Sequence, residues 1–334
     1  MNIIGLNIHS IYEGIGRYAQ LVEQVVGKAN MVSYIMDRRK SKQVYIGEVI
    51  KGLNLPITNG WYVNLKLSPL LLRKALRRPE SMVHSMSPII VPRICEVVTV
   101  HDIDYLKNFT DIIGRKQMEK NLEYALDSKH IITVSKQSKK DLHEYGAKEV
   151  KLIDLCALPV FGELQTSKDV LRRKHGIPLD KKIILTVGHG KTEQVDEAVK
   201  KAGYFHVHVG RERADLNIIG PSNTVLNELY NCSDLFVRIT EVEGFGSPAM
   251  EASTVGIPIV VSDIQTYRDI YGDSAIYTEP DTNSIYEAIK EALNGKEELT
   301  LNFDRIREHY SFPRFATEMN AYYSTVYESE QRKK

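Results

Sequence analysis

Several features are scarce in this chain of 334 residues, and each absence excludes a class of protein. Lys and Arg number 44 against 43 Asp and Glu, so no overall charge attracts nucleic acid. Three widely spaced cysteines, Cys95, Cys156 and Cys232, suit neither a zinc cluster nor a CxxC redox pair, and they are predicted to be reduced thiols. No apolar run approaches the roughly 18 residues of a membrane span. Met1–Ile8 lacks the features of a signal peptide, so a cytoplasmic protein is predicted.

What the chain does contain is a regular alternation of short β-rich runs and helical patterns, which is typical of parallel sheets with crossover helices. The chain also exceeds the roughly 250 to 300 residues beyond which single cores divide, and the alternation breaks at Cys156–Lys174. We therefore predict an α/β protein of two Rossmann-like, doubly wound domains, 1–160 and 161–312, with a ligand crevice at the carboxyl ends of their strands. The aromatic-rich segment 313–334 is predicted to be a helix that packs back on the first domain. The predicted strands are Asn2–Asn7, Met31–Met36, Ser81–His84, Glu96–Val100, His130–Val134, Val150–Leu155, Lys182–Val187, His206–Val209, Leu216–Ile219, Leu235–Val237 and Pro258–Val261.

The most informative segment is Asp234–Asp263, in which a strand leads through Glu243-Gly244-Phe245-Gly246 into a helix at about Ser247. Pro248 suits the first turn of that helix. The glycines let the backbone approach a ligand closely, and the helix start presents unpaired N–H groups with the positive end of the dipole. This combination predicts a diphosphate site.

Two glutamates flank this helix start. Glu243 lies in the loop, where it can hold sugar hydroxyls, and Glu251 lies two turns into the helix, where it can accept hydrogen bonds from a ribose diol. The Glu-x7-Glu (EX7E) spacing is weak evidence alone, because chance produces it in a glutamate-rich chain. The surrounding order of strand, glycine loop, Pro248, helix, Gly-x-Pro and strand makes it specific.

In this segment the chain resembles the family-4 retaining glycosyltransferases of GT-B fold (glycosyl transferases group 1), which carry E-G-F-G-x-P-x-x-E-A-x-x-x-G-x-P-V. Ser247 and Ser253 replace apolar residues of that pattern. The resemblance implies that 1–160 binds the acceptor and that 161–312 binds a nucleotide sugar, such as GDP-mannose or UDP-glucose. It implies a donor site that includes Gly244, Phe245, Gly246, Ser247, Pro248 and Glu251, with no metal and no other cofactor.

The first half of the chain is similar to the same family at two places. Glu13-Gly14-Ile15-Gly16-Arg17-Tyr18 resembles its G-G-I-G-R-Y loop, which implies that Gly14, Gly16 and Arg17 contribute to donor binding, with the Gly16 N–H facing the phosphates. Val98–Asp102, reading VTVHD, resembles its T-V-H-D motif and implies that His101 contacts the transferred sugar. Taken alone, Gly-x-Gly before a helix often serves turn geometry, and a histidine at a strand end is usually structural.

Two further segments are similar to the family but have plainer explanations. Ser135, in ITVSKQSKKDL, is predicted to cap a helix. Ser311–Tyr322 resembles the closing F-S-W-x-x-x-A helix, although Phe312-Pro313 alters its aromatic pattern.

The phosphate loop departs from the family. Its members carry V-G-R and, several residues later, a lysine, whereas this chain reads Val187-Gly188-His189-Gly190-Lys191. His189 occupies the arginine position and is a candidate phosphate contact or a space-filling group, with Gly188 beside it. Lys191 is predicted to be the phosphate cation. The alternatives are Arg211 and Arg213 from the next loop.

Recognition of the base is predicted to use the backbone near Ile219–Ser222, including Gly220. The basic amphipathic stretch Leu65–Arg78 is interpreted as a surface helix that packs its leucines on the first sheet. If the acceptor is lipid-linked, this stretch is where peripheral contact with a membrane surface is expected.

These observations predict a metal-independent, retaining hexosyltransferase of the mannose or glucose type, with His101, Glu243 and Lys191 as catalytic residues. Its acceptor is a glycan, a lipid-linked molecule or a small molecule, and nucleic acid is not a partner. Three alternatives remain. Asp102-Ile103-Asp104 has the DxD form of metal-binding GT-A enzymes, nucleotide-sugar epimerases share the GT-B architecture, and the altered His189 loop fits a binding protein that has lost catalysis.

Overall fold

The computed structural model describes residues 2–8, 14–35, 44–51, 70–76, 80–88, 95–103, 112–127, 130–295 and 303–332. Within these residues the chain divides into two compact units. The first unit is Met1–Leu155 together with Pro313–Lys334, and the second is Cys156–Phe312. Sequence reasoning places the first boundary between residues 160 and 161, a few residues later in the chain than the structure does, and the second between 312 and 313.

Both units consist of parallel strands joined by helices. The described strands are β1 (Asn2–Asn7), β2 (Met31–Ile35), β3 (Glu48–Lys51), β4 (Ser81–Ser85), β5 (Cys95–Thr99), β6 (His130–Thr133), β7 (Val150–Leu152), β8 (Ile183–Val187), β9 (Phe205–Val209), β10 (Leu216–Ile218), β11 (Leu235–Arg238), β12 (Ile259–Ser262) and β13 (Ile276–Thr278). The described α-helices are α1 (Gly14–Val26), α2 (Arg73–Leu76), α3 (Ile112–Leu126), α4 (Lys136–Glu144), α5 (Lys168–His175), α6 (Thr192–Lys201), α7 (Asn223–Cys232), α8 (Ser247–Val255), α9 (Gln265–Tyr271), α10 (Thr282–Asn294), α11 (Phe303–His309) and α12 (Phe312–Gln331).

The first unit contains, in its described part, a seven-stranded sheet in the order β3-β2-β1-β4-β5-β6-β7. All of its strand pairs are parallel, with Gly5 of β1 opposite Met31 and His84. The central strands are apolar because helices cover both faces of such a sheet. Helix α12 belongs to this unit, and it buries Phe315, Met319, Tyr323 and Val326.

The second unit contains a six-stranded sheet in the order β10-β9-β8-β11-β12-β13, again with parallel pairs. Its strands are fully buried at β8 and β12, and α6 and α10 pack on one face through Val195, Val199, Ile285 and Ile289. Parallel strands align their carboxyl ends, so the turns after β8, β11 and β12 lie on one edge of this sheet.

Two described strands escape prediction, and both lie at sheet edges. β3 is mostly exposed along its length, and β13 is only three residues long. An edge strand has one neighbour and little buried surface, so its apolar signal is often weak, although the other two edge strands, β7 and β10, are found. Otherwise the sequence finds each strand to within a few residues.

The stretch Leu65–Arg78 is described only for residues 70–76. There Leu72 and Leu76 are buried in the core of the first unit beside Ile4 and Val83, whereas Leu70 is 69% exposed. Its described leucines therefore pack largely on the first sheet, and the rest of the stretch lies outside the described residues. None of the helices in the described ranges is long and apolar enough to cross a membrane.

The three cysteines are free thiols, as predicted. Burial raises the pKa of Cys95 and Cys156 to about 12 and that of Cys232 to about 11. These thiols are therefore protonated at neutral pH and unsuited to nucleophilic chemistry.

Candidate functional site

The glycine loop after β11 forms the start of α8. Gly246 is the N-cap residue with φ of +86°, a conformation that favours glycine, and a Cβ there would lie 2.5 Å from Tyr267 Cε1. Pro248 occupies the first turn, and Gly246 offers the first amides no side-chain acceptor. Ser247 begins the helix, while Phe245 is buried against Tyr310, with ring centroids 5.8 Å apart. The backbone at this helix start therefore has the form that the diphosphate prediction requires.

Glu243, at the rim of this loop, is held from several sides. Its Oε2 accepts hydrogen bonds from Arg238 Nη2 at 3.0 Å, from Arg238 Nε at 3.3 Å and from Tyr267 Oη at 3.4 Å. Its carbonyl accepts a bond from Thr266 Oγ1 at 3.0 Å. The side chain is 19% exposed. Glu243 is thus a fixed carboxylate that still reaches solvent.

Glu251 lies two turns into α8, and only 2% of its surface is exposed. Its Oε2 accepts a 2.8 Å hydrogen bond from Tyr230 Oη, which also contacts the carbonyl of Pro248 at 3.1 Å. A ligand diol would have to compete with this tyrosine. The ribose contact remains a prediction, and Tyr230 is a neighbour that the sequence does not reveal.

The turn after β8 contains the altered phosphate segment. Gly188 has φ of +74°, and a Cβ on Gly190 would lie 2.5 Å from the carbonyl oxygen of Ile239. His189 Nδ1 lies 2.5 Å from Glu212 Oε1, and its side chain is 97% exposed. Lys191 is the N-cap residue of α6.

The Lys191 ammonium is the cation that the sequence predicts to bind the phosphates. Its Nζ lies 2.6 Å from Glu241 Oε1, and the two side chains are 38% and 72% exposed. Hydrogen bonding from Lys191 lowers the pKa of Glu241. An exposed pair of this kind contributes little stability, so a ligand phosphate can displace the carboxylate.

Arg238 joins these two loops, and sequence reasoning misses it. This last residue of β11 is 14% exposed at its side chain. Its Nη1 donates to the carbonyls of Val187, at 3.0 Å, and His189, while Nη2 and Nε bind Glu243. Burial alone would lower the pKa of Arg238, but Glu243 and Tyr267 together outweigh burial and raise it. The available signal is an arginine at the end of an otherwise apolar strand, LFVR.

A chain of polar side chains, also missed by sequence reasoning, leads through the sheet to His189. Thr186 Oγ1 shares hydrogen bonds with His206 Nε2, at 2.8 Å, and His208 Nδ1, at 2.7 Å, and His208 Nε2 lies 2.7 Å from Glu212 Oε2. Burial lowers the pKa of both strand histidines. Burial opposes ionisation of Glu212, but hydrogen bonds from His208 and its other partners lower its pKa to about 2. Glu212 is therefore an ionised anchor for His189.

Two further predictions in the second unit concern base recognition near Gly220 and the alternative cations Arg211 and Arg213. Gly220 follows β10 with φ of +59°, next to Ile219, which is 65% exposed. Ser222 caps α7 by accepting a bond from the Val225 amide at 3.3 Å. The alternative cation Arg213 lies 3.4 Å from Asp196, and Arg211 lies in the same loop as Glu212.

In the first unit, Gly14, Gly16 and Arg17 belong to the first turn of α1. Gly16 is buried, Arg17 is half-buried and Gly14 is exposed. His101 directly follows β5 and Val100, and its Nε2 lies 3.1 Å from the Met86 carbonyl. Because a carbonyl oxygen only accepts, Nε2 carries the proton.

A polar network in the same unit surrounds His101. The Tyr18 ring packs edge-on against His101, with centroids 4.8 Å apart, and Tyr18 Oη lies 2.8 Å from Thr99 Oγ1. Thr99 also contacts His84 Nε2 at 2.7 Å, and His84 Nδ1 lies 2.7 Å from Tyr323 Oη of α12. Burial lowers the pKa of His84 to about 3 and raises that of Tyr18. Helix α12 is therefore linked to the ring that packs on His101.

Two remaining expectations concern Ser135 and the DxD sequence. Ser135 accepts a bond from the Ser138 amide at 3.1 Å at the start of α4, which confirms that it is a helix cap. Asp104 lies outside the described residues. Within the described residues there is no group of three or more His, Cys, Asp or Glu placed to hold a metal.

Comparisons with known proteins relate the second unit to glycosyltransferases. Residues 212–306 match the family model described as glycosyl transferases group 1. A stretch of 66 residues is 33% identical to O-antigen chain mannosyltransferase B of Escherichia coli, and it covers 20% of this chain but only 17% of that relative. These matches support a relationship with group 1 glycosyltransferases.

Solved structures resemble the chain over nearly its whole length. Sucrose-phosphate synthase of Thermosynechococcus elongatus has a TM-score of 0.78 at 15% identity, covering 98% of this chain and 100% of its own. Anabaena HepE, in complex with UDP-glucose, has a TM-score of 0.73 at 12% identity, covering 97% and 100%. Identities this low show the fold alone. These structural similarities confirm the predicted fold class, two Rossmann-like parallel-sheet domains of the GT-B type.

Proposed function

We propose that this protein is a retaining glycosyltransferase that moves a hexose from a nucleotide diphosphate sugar to an acceptor hydroxyl. The observation that carries the proposal is the Glu243–Gly246 loop, which leads from a buried parallel strand into the open amino end of α8. Helix starts of this kind bind phosphate groups, and ligands bind at the carboxyl ends of strands in such sheets. The family match spans this same segment.

In this proposal, different residues of the second unit bind the diphosphate, the sugar and the ribose of the donor. The first amides of α8 and the Gly188–Gly190 turn hold the diphosphate, and Lys191 exchanges Glu241 for a phosphate oxygen. Glu243, fixed by Arg238, accepts hydrogen bonds from sugar hydroxyls. Glu251 accepts the ribose diol in place of its bond from Tyr230.

The proposed reaction needs no enzyme nucleophile and no metal. The bond between the sugar C1 and the departing phosphate oxygen breaks while the acceptor oxygen attacks C1 on the same face. The acceptor proton passes to the departing phosphate, so the products are a retained glycoside and a nucleoside diphosphate. Lys191 and the helix start stabilise the charge that develops on the diphosphate.

The sugar is proposed to be of the mannose or glucose type, carried on GDP or UDP. HepE was solved with UDP-glucose and the similar Escherichia coli protein is a mannosyltransferase, so both donors stand as candidates. The acceptor is proposed to be a glycan, a lipid-linked molecule or a small molecule. His101 is proposed to contact the transferred sugar, and the variant His101→Ala tests this role separately.

The test is a panel of UDP-, GDP- and ADP-sugars with the wild-type chain, Glu243→Ala and Glu251→Ala. We expect nucleotide release from one donor, reduced at least about a hundredfold by Glu243→Ala. Proton NMR of the first glycoside formed should show the donor's anomeric configuration. An inverted product, or activity abolished by EDTA, would contradict the mechanism.

A second candidate function is a nucleotide-sugar-binding protein without turnover. The observation that favours it is that both phosphate-loop side chains are engaged by carboxylates, His189 by Glu212 and Lys191 by Glu241. Tight binding of one donor with neither hydrolysis nor transfer would select this alternative.

A further inference from the structure

The phosphate turn of the second unit lacks an arginine of its own. Its His189 contacts Glu212, and the nearby Lys191 contacts Glu241. Both side chains lie at the surface. Lys191 reaches the loop that carries Glu243, through Glu241 and through its amide, which donates to the Ile239 carbonyl at 2.9 Å, but neither side chain contacts the Glu243 carboxylate.

Arg238 reaches this turn from the neighbouring strand. β11 pairs directly with β8, so the last residue of β11 lies beside the end of β8. Its Nη1 donates to the carbonyl oxygens of Val187 and His189, and a Cβ on Gly188 or Gly190 would lie 3.6 Å from that nitrogen. The turn is therefore wrapped closely around one side of the guanidinium.

The other side of the same guanidinium faces Glu243. Nη2 and Nε both donate to Oε2, at 3.0 and 3.3 Å. A planar guanidinium presents donors in several fixed directions, whereas a lysine ammonium is a compact charge on a flexible stem. Only an arginine can bind the two backbone carbonyls and the carboxylate at once in this geometry.

We propose that Arg238 is a positioning residue, which fixes the Glu243 carboxylate and the Val187–His189 turn relative to each other from strand β11. It supplies from a neighbouring strand the guanidinium that the phosphate turn lacks, and it acts through Glu243 rather than on the donor itself. This inference rests on the proposed function. Arg238 is not among the donor-site residues that the sequence predicts.

A second buried arginine in the same unit provides a matched control. Arg172 is 8% exposed at its side chain, pairs with Asp234 at 2.8 Å and donates to the carbonyl of Cys232 at 2.9 Å. Asp234 precedes β11, whereas Arg238 ends it, so the two arginines lie at opposite ends of one strand. Arg172→Lys and Arg238→Lys are therefore the same substitution in comparable burial.

The experiment measures turnover, nucleoside diphosphate affinity and melting temperature for the wild-type chain, Arg238→Lys and Arg172→Lys, using the donor that the panel selects. We expect Arg238→Lys to lower kcat by about tenfold or more, while the Kd for the free nucleoside diphosphate changes by less than about threefold. Arg172→Lys should lower the melting temperature and leave kcat within about twofold.

The double variant Arg238→Lys/Glu243→Gln tests whether Arg238 acts through Glu243. We expect its kcat to match that of Glu243→Gln within about threefold, because residues that act as a unit are not additive. Additive losses, or wild-type kcat in Arg238→Lys, would overturn the role of Arg238 alone. A wild-type chain without turnover would overturn the proposed function and this inference with it.

Discussion

Strand β11 has an arginine ion pair at each end. One pair connects elements of secondary structure, and the other connects two loops. At its amino end, Asp234 accepts bonds from Arg172 of α5 and from the amide of Ile183 at the start of β8, both at 2.8 Å. At its carboxyl end, Arg238 binds Glu243. The first pair fastens a helix and a neighbouring strand to β11, so its partners belong to the framework of the unit.

The second pair fastens two loops instead. Arg238 joins the Glu243 loop to a turn whose Gly188 has φ of +74°, and the Glu243 loop itself ends at Gly246, with φ of +86°. Both ends of a parallel sheet can bury an arginine, but the loops at the carboxyl end present open backbone to a ligand. The same pairing therefore stabilises the framework at one end and lies in the proposed donor site at the other.

The largest expected effect is a loss of stability on substitution of Asp234, at the amino end of β11. Asp234→Asn leaves Arg172 buried without its carboxylate, and we expect the free energy of unfolding to fall by about 3 kcal/mol. Urea denaturation measures the loss, and kcat per folded molecule should stay within about twofold. A large fall in kcat without a fall in stability would erase the distinction between the two ends.

The reverse result is expected for Glu243→Gln at the carboxyl end. The amide keeps the shape of the carboxylate but loses its charge, so kcat should fall about a hundredfold. The melting temperature should fall far less than in Asp234→Asn, because Glu243 remains partly solvated. Both quantities are measured on the same preparation, and a wild-type kcat would remove Glu243 from the site.

Acid should affect the His206–Thr186–His208 network before the Asp234–Arg172 pair. Burial lowers the pKa of His206 and His208 in the folded chain, so below their ordinary value of about 6.5 the unfolded chain binds more protons and stability is lost as pH falls. Burial would raise the pKa of Asp234, but the Ile183 amide and two cations outweigh it, so that pair keeps its charge through this range.

Urea denaturation at pH 7.5 and 5.5 measures this pH dependence. His208→Gln, which can still reach Glu212, should lose less stability between the two pH values than the wild type. Asp234→Asn should lose as much as the wild type does. Equal acid sensitivity of His208→Gln and the wild type would show that this histidine does not contribute.

The smallest expected effect concerns the exposed pair of Lys191 and Glu241. Removing the competing carboxylate in Glu241→Gln should tighten nucleoside diphosphate binding by roughly two- to threefold, because exposed pairs are weak. Lys191→Met should weaken that binding by about tenfold. Calorimetry measures both, and Lys168→Met, which alters a partner of Asp234 at the amino end, should change neither value.

The sequence predicts the strands and helices of the framework better than it predicts the side-chain contacts of the site. The buried strands are recognisable because their apolar runs are continuous, whereas the exposed edge strand Glu48–Lys51 has no such run. The loop at Glu243 is found because its glycines and helix start are neighbours in the chain. One partner of that loop, Tyr267, is 24 residues away from Glu243.

Local patterns in the sequence determined the alternation of strands and helices, the parallel sheets and the position of the glycine loop before α8. These features depend on residues within a few positions of one another, and period, glycine and proline record them directly. Only the tertiary structure decided that Arg238 reaches the carbonyl of Val187, 51 residues earlier, and that His206 and His208 meet at Thr186. Such contacts follow from strand order and register, which bring residues that are distant in the chain to one edge of a sheet.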